Sequence, residues 1–135
     1  MMEKSDAPEY ESHTTLRQWP VQLMLIPPQA TFLQNADLLI AADCCAYAHG
    51  DFHKEFMQGK VTLIGCPKQD TVGYANKIAD MLEQSSIASV TVARMSVPCC
   101  GGLERAVREA LTRVGNAIPH EVRVVSPQGA VTVNV

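Results

Sequence analysis

The stretch Asn35-Ala36-Asp37-Leu38-Leu39-Ile40-Ala41-Ala42-Asp43-Cys44-Cys45 decides how this chain is read. Turn-forming residues punctuate its start, five apolar residues follow without polar alternation, and an acid and two thiols close it. A continuous apolar run of this length between turn signals is the pattern of a strand buried on both faces, and such strands belong to parallel sheets covered by helices.

The segments C-terminal to this run alternate in the way a parallel sheet requires. From Ala46 to Met57, Ala48, Phe52 and Phe56 recur at four-residue spacing and predict one face of a short helix despite Gly50. Val61-Thr62-Leu63-Ile64-Gly65 reads as another strand. Val72, Ala75, Ile78, Ala79 and Leu82 then recur at helical spacing from Thr71, and Ser89-Val90-Thr91-Val92-Ala93 restores a β-branched run. Leu103, Ala106, Val107, Ala110, Leu111 and Val114 mark the clearest amphipathic helix, with Arg105, Arg108 and Arg113 facing away and Gly115-Asn116 to close it. Val122-Arg123-Val124-Val125, the turn Ser126-Pro127-Gln128-Gly129 and Val131-Thr132-Val133 predict a last strand and a terminal hairpin.

On the N-terminal side, Val21-Gln22-Leu23-Met24-Leu25-Ile26, stopped by Pro27-Pro28, is a further candidate strand. Residues 1–15 are polar and without hydrophobic period, which predicts a mobile tail ending near Leu16, with Trp19 as a nearby anchor. Strands alternating with helices imply an α/β domain over residues 16–135. Its expected form is three layers around a mostly parallel sheet, flavodoxin-like or Rossmann-like, with a C-terminal β-hairpin. The short connection at residues 27–37 leaves the strand order open.

The chain has 135 residues, 47% of them hydrophobic, which suits one core rather than two. A net charge of -3 leaves no broad basic field, so nucleic acid is not an expected partner. No apolar run approaches the roughly 20 residues that span a bilayer, so no membrane is expected either. The opening Met1-Met2-Glu3-Lys4-Ser5-Asp6 lacks the apolar stretch of a signal peptide, and a cytoplasmic location is expected.

Five cysteines, an odd number in a chain expected to be cytoplasmic, argue for metal ligation or thiol chemistry over a disulfide framework. A lone cysteine is most often a small packed hydrophobe. The set is different. Cys44 and Cys45 follow one predicted strand, Cys66 follows the next, and Cys99 and Cys100 follow a third. In an open parallel sheet the carboxyl ends of the strands share one edge, where ligands bind.

Gathered thiolates repel one another, which favours a soft metal centre, and both iron-sulfur clusters and zinc take four thiolates. No C-x-x-C occurs, so zinc-ribbon, thioredoxin-like and bacterial ferredoxin patterns are missing. No G-x-G-x-x-G or P-loop occurs either, so the fold class does not argue for a nucleotide.

Pro98-Cys99-Cys100-Gly101-Gly102 precedes a helix whose amides and dipole favour anionic sulfur, and its glycines permit close approach of a bulky group. Lys68, after Gly65-Cys66-Pro67, is a candidate counter-charge. His49 and His53, four apart, could ligate metal or tune a cluster by hydrogen bonding. Asp43 is a candidate loop-fixing acceptor, and Tyr47 a candidate shield against water. His13 and His120 are given no role.

Six segments, L-R-Q-W-P-V-Q-L, A-D-L-L-I-A-A-D-C, D-F-H, T-L-I-G-C-P-K, S-V-T-V and M-S-V-P-C-C-G-G, resemble those of an uncharacterised group of iron-sulfur proteins from anaerobic bacteria and archaea. The resemblance runs from about Leu16 to Val125. In longer members the matching segment follows a ferredoxin-like domain with its own C-x-x-C motifs, which this chain lacks. The resemblance implies Cys44, Cys66, Cys99 and Cys100 as the four cysteines of a cluster-binding pattern, and a four-iron cluster, [4Fe-4S], is the leading expectation for what they hold. Cys45 stands as a candidate fifth at a position where members carry other residues. It also implies redox work in anaerobic metabolism with no defined reaction. A smaller likeness, Cys66 followed by 32 residues and Cys99-Cys100, is to part of the cysteine-rich motif of heterodisulfide reductases, whose downstream C-x-x-C is missing here.

The leading expectation is therefore an iron-sulfur protein in electron transfer or an accessory redox role, with a redox protein such as a ferredoxin as partner and a homo-oligomer as a candidate assembly. Whether such a cluster would be catalytic is left open. A zinc or soft-metal thiolate module and a thiol-redox enzyme are the alternatives, the last disfavoured because adjacent cysteines form a strained disulfide.

Overall fold

In the computed structural model, which describes residues 9–66, 68, 71–98, 101–115 and 117–134, five strands form one sheet. These are β1 (Asp37–Ala42), β2 (Val61–Gly65), β3 (Ser89–Met95), β4 (His120–Val125) and β5 (Val131–Asn134). Their order is β2-β1-β3-β4-β5. The first four run parallel, and β5 returns antiparallel to β4. This is an α/β fold with a mostly parallel sheet and a C-terminal hairpin, of the flavodoxin-like strand order.

The apolar run that opened the reading is the centre of the sheet. Leu38, Leu39, Ile40 and Ala41 have no exposed surface, because β1 has a strand on each side and packed residues on both faces. From β1 the chain steps one way to β2, and from β2 to β3 and β3 to β4 it steps the other way. Right-handed crossovers therefore send α2 (Thr71–Gln84) and α3 (Gly101–Arg113) to one face, where they pack on each other. The short α1 (Cys45–Ala48) and a π-helical turn at His53–Met57 cover the opposite face. No helix of the described residues is long and apolar enough to cross a membrane.

Two expectations are corrected. Residues 21–26 are not a strand. They form a 3₁₀ turn at Leu23–Leu25 and touch the sheet through one bridge between Gln22 and Ile64, where Ile64 N donates to Val21 O at 2.8 Å. Leu23 and Ile26 are buried while Met24 and Leu25 are exposed, which is a three-residue period, and prolines 20 and 27 supply no donors for a ladder. The predicted helix from Ala46 to Met57 is interrupted at His49, whose backbone is extended (φ -115°, ψ 113°) ahead of Gly50. The four-residue spacing still tells the truth about packing, since Phe52 and Phe56 are both buried and stack with centroids 4.9 Å apart.

The remaining boundaries lie close to those expected. Gly115 closes α3 with φ +92°, while Asn116 lies outside the described residues. Of the predicted tail, residues 1–8 lie outside the described residues. Thr15 is fixed to the body, donating from N and Oγ1 to His53 Nδ1 and His53 O at 3.3 and 3.0 Å.

Candidate functional site

The strand order creates a switch point between β1 and β3, whose onward connections leave in opposite directions, the arrangement in which folds of this class bind ligands outside the carboxyl ends of their strands. Asp43, Cys44 and Cys45 follow β1 directly, and Cys66 follows β2 directly. Asp43 N donates to Gly65 O at 3.1 Å, so the first two loops are tied together at their roots. Ser96, Val97 and Pro98 follow β3, and α3 begins at Gly101. Cys99 and Cys100, between Pro98 and Gly101 in sequence, lie outside the described residues.

The two thiols after β1 have different surroundings. Cys44 is exposed at the entry to α1, whereas Cys45 is wholly buried among the apolar side chains of the core. Cys66 is half-buried, and its N–H donates to the Tyr74 hydroxyl at 3.1 Å. The Tyr74 ring lies across Gly65: a Cβ there would meet the ring at 3.1 Å, tighter than a relaxed contact. Gly65 is thus the residue that lets a buried tyrosine of α2 reach the amide of the next residue.

The connection from β3 to α3 is braced by charge. Arg94 Nε and Arg108 Nε lie 2.7 and 2.9 Å from the two carboxylate oxygens of Glu104, in the first turn of α3. Burial by itself would raise the Glu104 pKa, but hydrogen bonds from Arg108 and Arg94 and their positive charges outweigh it and hold the carboxyl below its ordinary range. Ser96 N donates to Val125 O at 2.8 Å, anchoring the other end of the connection. The Arg105 guanidinium, expected to face away, folds back so that Nη1 is 2.9 Å from where a Gly101 Cβ would stand.

His49 joins α1 to the hairpin. Its Nδ1 donates to Gly129 O at 3.0 Å, and its Nε2 is buried and without a hydrogen-bond partner among the described residues. Its ring meets the Phe56 ring edge-on at 5.2 Å. His53 is exposed and engaged by Thr14 and Thr15. Lys68 and Tyr47 are exposed, and Asp43 is half-buried. His120 begins β4 at the opposite edge of the sheet, where Asp37, Lys60, Ser89 and Glu121 help line a hollow of about 480 Å³.

Among the described residues no three His, Cys, Asp or Glu side chains converge into a metal-sized group. Cys44 and Cys66 supply soft donors at neighbouring strand ends, and the other two thiols expected as ligands are the pair outside those residues. Sequence reasoning missed Tyr74 and the Arg94–Glu104 contact. A glycine directly before Cys66 and a tyrosine one helical turn into α2 are the signals that could have pointed to the first.

These features define an α/β domain with a mostly parallel sheet, in which β1, β2 and β3 end at one common edge. Residues 30–135 match the family model described as Rossmann-like domain, and the chain belongs to that family. A protein of Archaeoglobus fulgidus described as an uncharacterized protein is 34% identical over 116 residues, covering 86% of this chain and 82% of that protein. No solved structure matches the chain.

Proposed function

We propose that this domain binds an iron-sulfur cluster, [4Fe-4S] in type, through Cys44, Cys66, Cys99 and Cys100, and serves in electron transfer or as a redox accessory module in anaerobic metabolism. The observation that carries the reading is the strand order. The strands preceding the three cysteine groups are immediate neighbours, β2-β1-β3, and all three run in the same direction. Residues separated by more than fifty positions thereby follow strand ends at one edge of one sheet.

The donor chemistry fits the group. Thiolates are the ligands iron-sulfur clusters take, and the exposed Cys44 and half-buried Cys66 have the accessibility a ligand needs. Cys45 is committed to the apolar core, which suits a spare residue rather than a ligand. The start of α3, Arg105 and Lys68 supply positive potential near the same edge, which offsets the negative charge of a thiolate-bound cluster. When bound, the cluster supplies one-electron chemistry, and the partner proposed is a redox protein such as a ferredoxin in the cytoplasm.

Five single Cys→Ser variants, purified without oxygen and assayed for iron and acid-labile sulfide, test the ligand set. Serine at 44, 66, 99 or 100 is expected to lose or remodel the cluster, because its oxygen is a harder and poorer iron ligand, whereas Cys45→Ser keeps it. Loss of the cluster in Cys45→Ser together with its full retention in Cys44→Ser would refute the assignment.

A further inference from the structure

The amino-terminal edge of the sheet is built differently from the edge that carries the cysteines. Strand register sets Asp37 beside Ser89 and Thr91 beside Glu121, and residues two apart on a strand share a face. The same face continues toward the carboxyl ends as Leu39, Ala41 and Ala93, none of which has exposed surface. It is therefore apolar in its carboxyl half and polar in its amino half. Lys60, Asp37, Ser89, Thr91 and Glu121 line the hollow of about 480 Å³ at this edge. That volume is within the range of small-molecule sites. Thr91, at its floor, is only 4% exposed.

The charges at the hollow are set apart rather than paired. Asp37 and Lys60 each stand one residue before the paired Leu38 and Val61, at the start of adjacent strands. Yet Lys60, half-buried, makes no ion pair among the described residues. Asp37 Oδ1 accepts from the Ser89 hydroxyl at 2.7 Å, which fixes that carboxylate without neutralising it. Glu121, by contrast, is matched by Arg123, whose Nε lies 2.7 Å from Oε2. An anion in the hollow would face Asp37 and a cation would face Lys60; a molecule that carries both signs a few bonds apart satisfies both. We infer that this hollow binds a small zwitterion of the α-amino-acid class: Lys60 takes its carboxylate, Asp37 takes its ammonium, and a polar side chain lies over Thr91 toward Glu121. The site stands at the opposite end of the strands from the cysteines, and it does not rest on the iron-sulfur reading.

The test is a titration of the full chain with L-serine, L-threonine, L-asparagine or L-glutamine, followed by the backbone amide NMR signals of Lys60, Ser89 and Thr91. Propionate, an acid without the amine, and propylamine, an amine without the acid, are the controls. At least one of the four amino acids is expected to shift these signals to saturation with a dissociation constant on the order of 1 mM or tighter, and neither control is expected to do so. Lys60→Met and Asp37→Asn are each expected to weaken that binding at least about tenfold, the loss of one charge-assisted bond. Should a variant fold poorly, the discrimination of the wild type between the amino acids and the two half-molecules decides by itself. No saturable shift with any of the four, an equal response to a half-molecule, or wild-type affinity in either folded variant overturns the inference.

Discussion

Arg94 and Glu104 face each other at 2.7 Å across the connection from β3 to α3, and this contact ties together the two ends of the nine-residue stretch between them, which carries Cys99 and Cys100 in sequence. Both side chains are about one-fifth exposed, and Arg108 holds the other carboxylate oxygen. An acid in the first turn of a helix also meets the positive end of the helix dipole. Glu104 thus ties the start of α3 to the C-terminal end of β3, whatever the loop between them holds.

The pH dependence of that brace follows from its sign. The Glu104 pKa is lowered in the fold from its ordinary 4.5, because the two guanidiniums outweigh its burial. Its contribution to stability is therefore fully present above the unfolded value and is lost as pH falls through the lower folded value. Glu104→Gln is expected to cost about 1–2 kcal/mol at neutral pH. Chemical denaturation at pH 7 and at steps below 4.5 should show the gap between wild type and variant closing on the acid side; a gap that widens there contradicts the account.

Cys44 and Cys45 should separate cleanly in stability. Cys45 has no exposed surface, and replacing it by serine puts a more polar group into apolar surroundings at a cost of about 1–3 kcal/mol. Cys44 is exposed, and the metal-free Cys44→Ser chain should melt with the wild type. Thermal melts of both metal-free variants check this, and equal destabilisation by the two would be the wrong result.

Phe56 is the pin of the face opposite α2 and α3. It is 1% exposed, stacks on Phe52, and has the Arg123 guanidinium 5.3 Å over its ring. Phe56→Ala removes all three relations and is expected to cost about 3–5 kcal/mol, measurable by denaturant unfolding. A cost under about 1 kcal/mol would mean that this face is not part of the cooperative core.

Glycines 59 and 129 offer a matched test of the hairpin contact. Both have positive φ, +80° and +91°, but only at Gly129 would a Cβ meet backbone, at 3.0 Å from Ala48 O. Gly59→Ala is expected to cost about 1 kcal/mol from backbone strain alone. Gly129→Ala should cost about 2–3 kcal/mol, because it must also loosen the bond from His49 to the hairpin. Equal costs would show that the close approach is not felt.

Much of this architecture was legible in the sequence because burial on both faces leaves an unmistakable run of apolar residues, as in Leu38 to Ala42. The amphipathic period of α3 was equally plain. Residues 21–26 misled because a short apolar run has no length over which periods of two and three can be told apart, and only packing shows that Leu23 and Ile26 alone face inward. The break at His49 was hidden for another reason: the bond that favours it goes to Gly129, eighty residues away.

Of the candidate site, the placement of Cys44 and Cys66 after neighbouring parallel strands was legible in the sequence, while Cys99 and Cys100 lie outside the described residues. The supporting contacts were not legible. Tyr74 reaching Cys66 and Glu104 gripping Arg94 depend on how α2 and α3 sit over the sheet, and spacing alone carries no such information.

The most direct test of the central claim is the iron and acid-labile sulfide content of the wild-type chain purified strictly without oxygen, read together with its visible absorption. The account predicts a brown protein with about four irons and matching sulfide per chain, as a tetrathiolate [4Fe-4S] site requires. A colourless preparation holding stoichiometric zinc, or no metal at all, would contradict it.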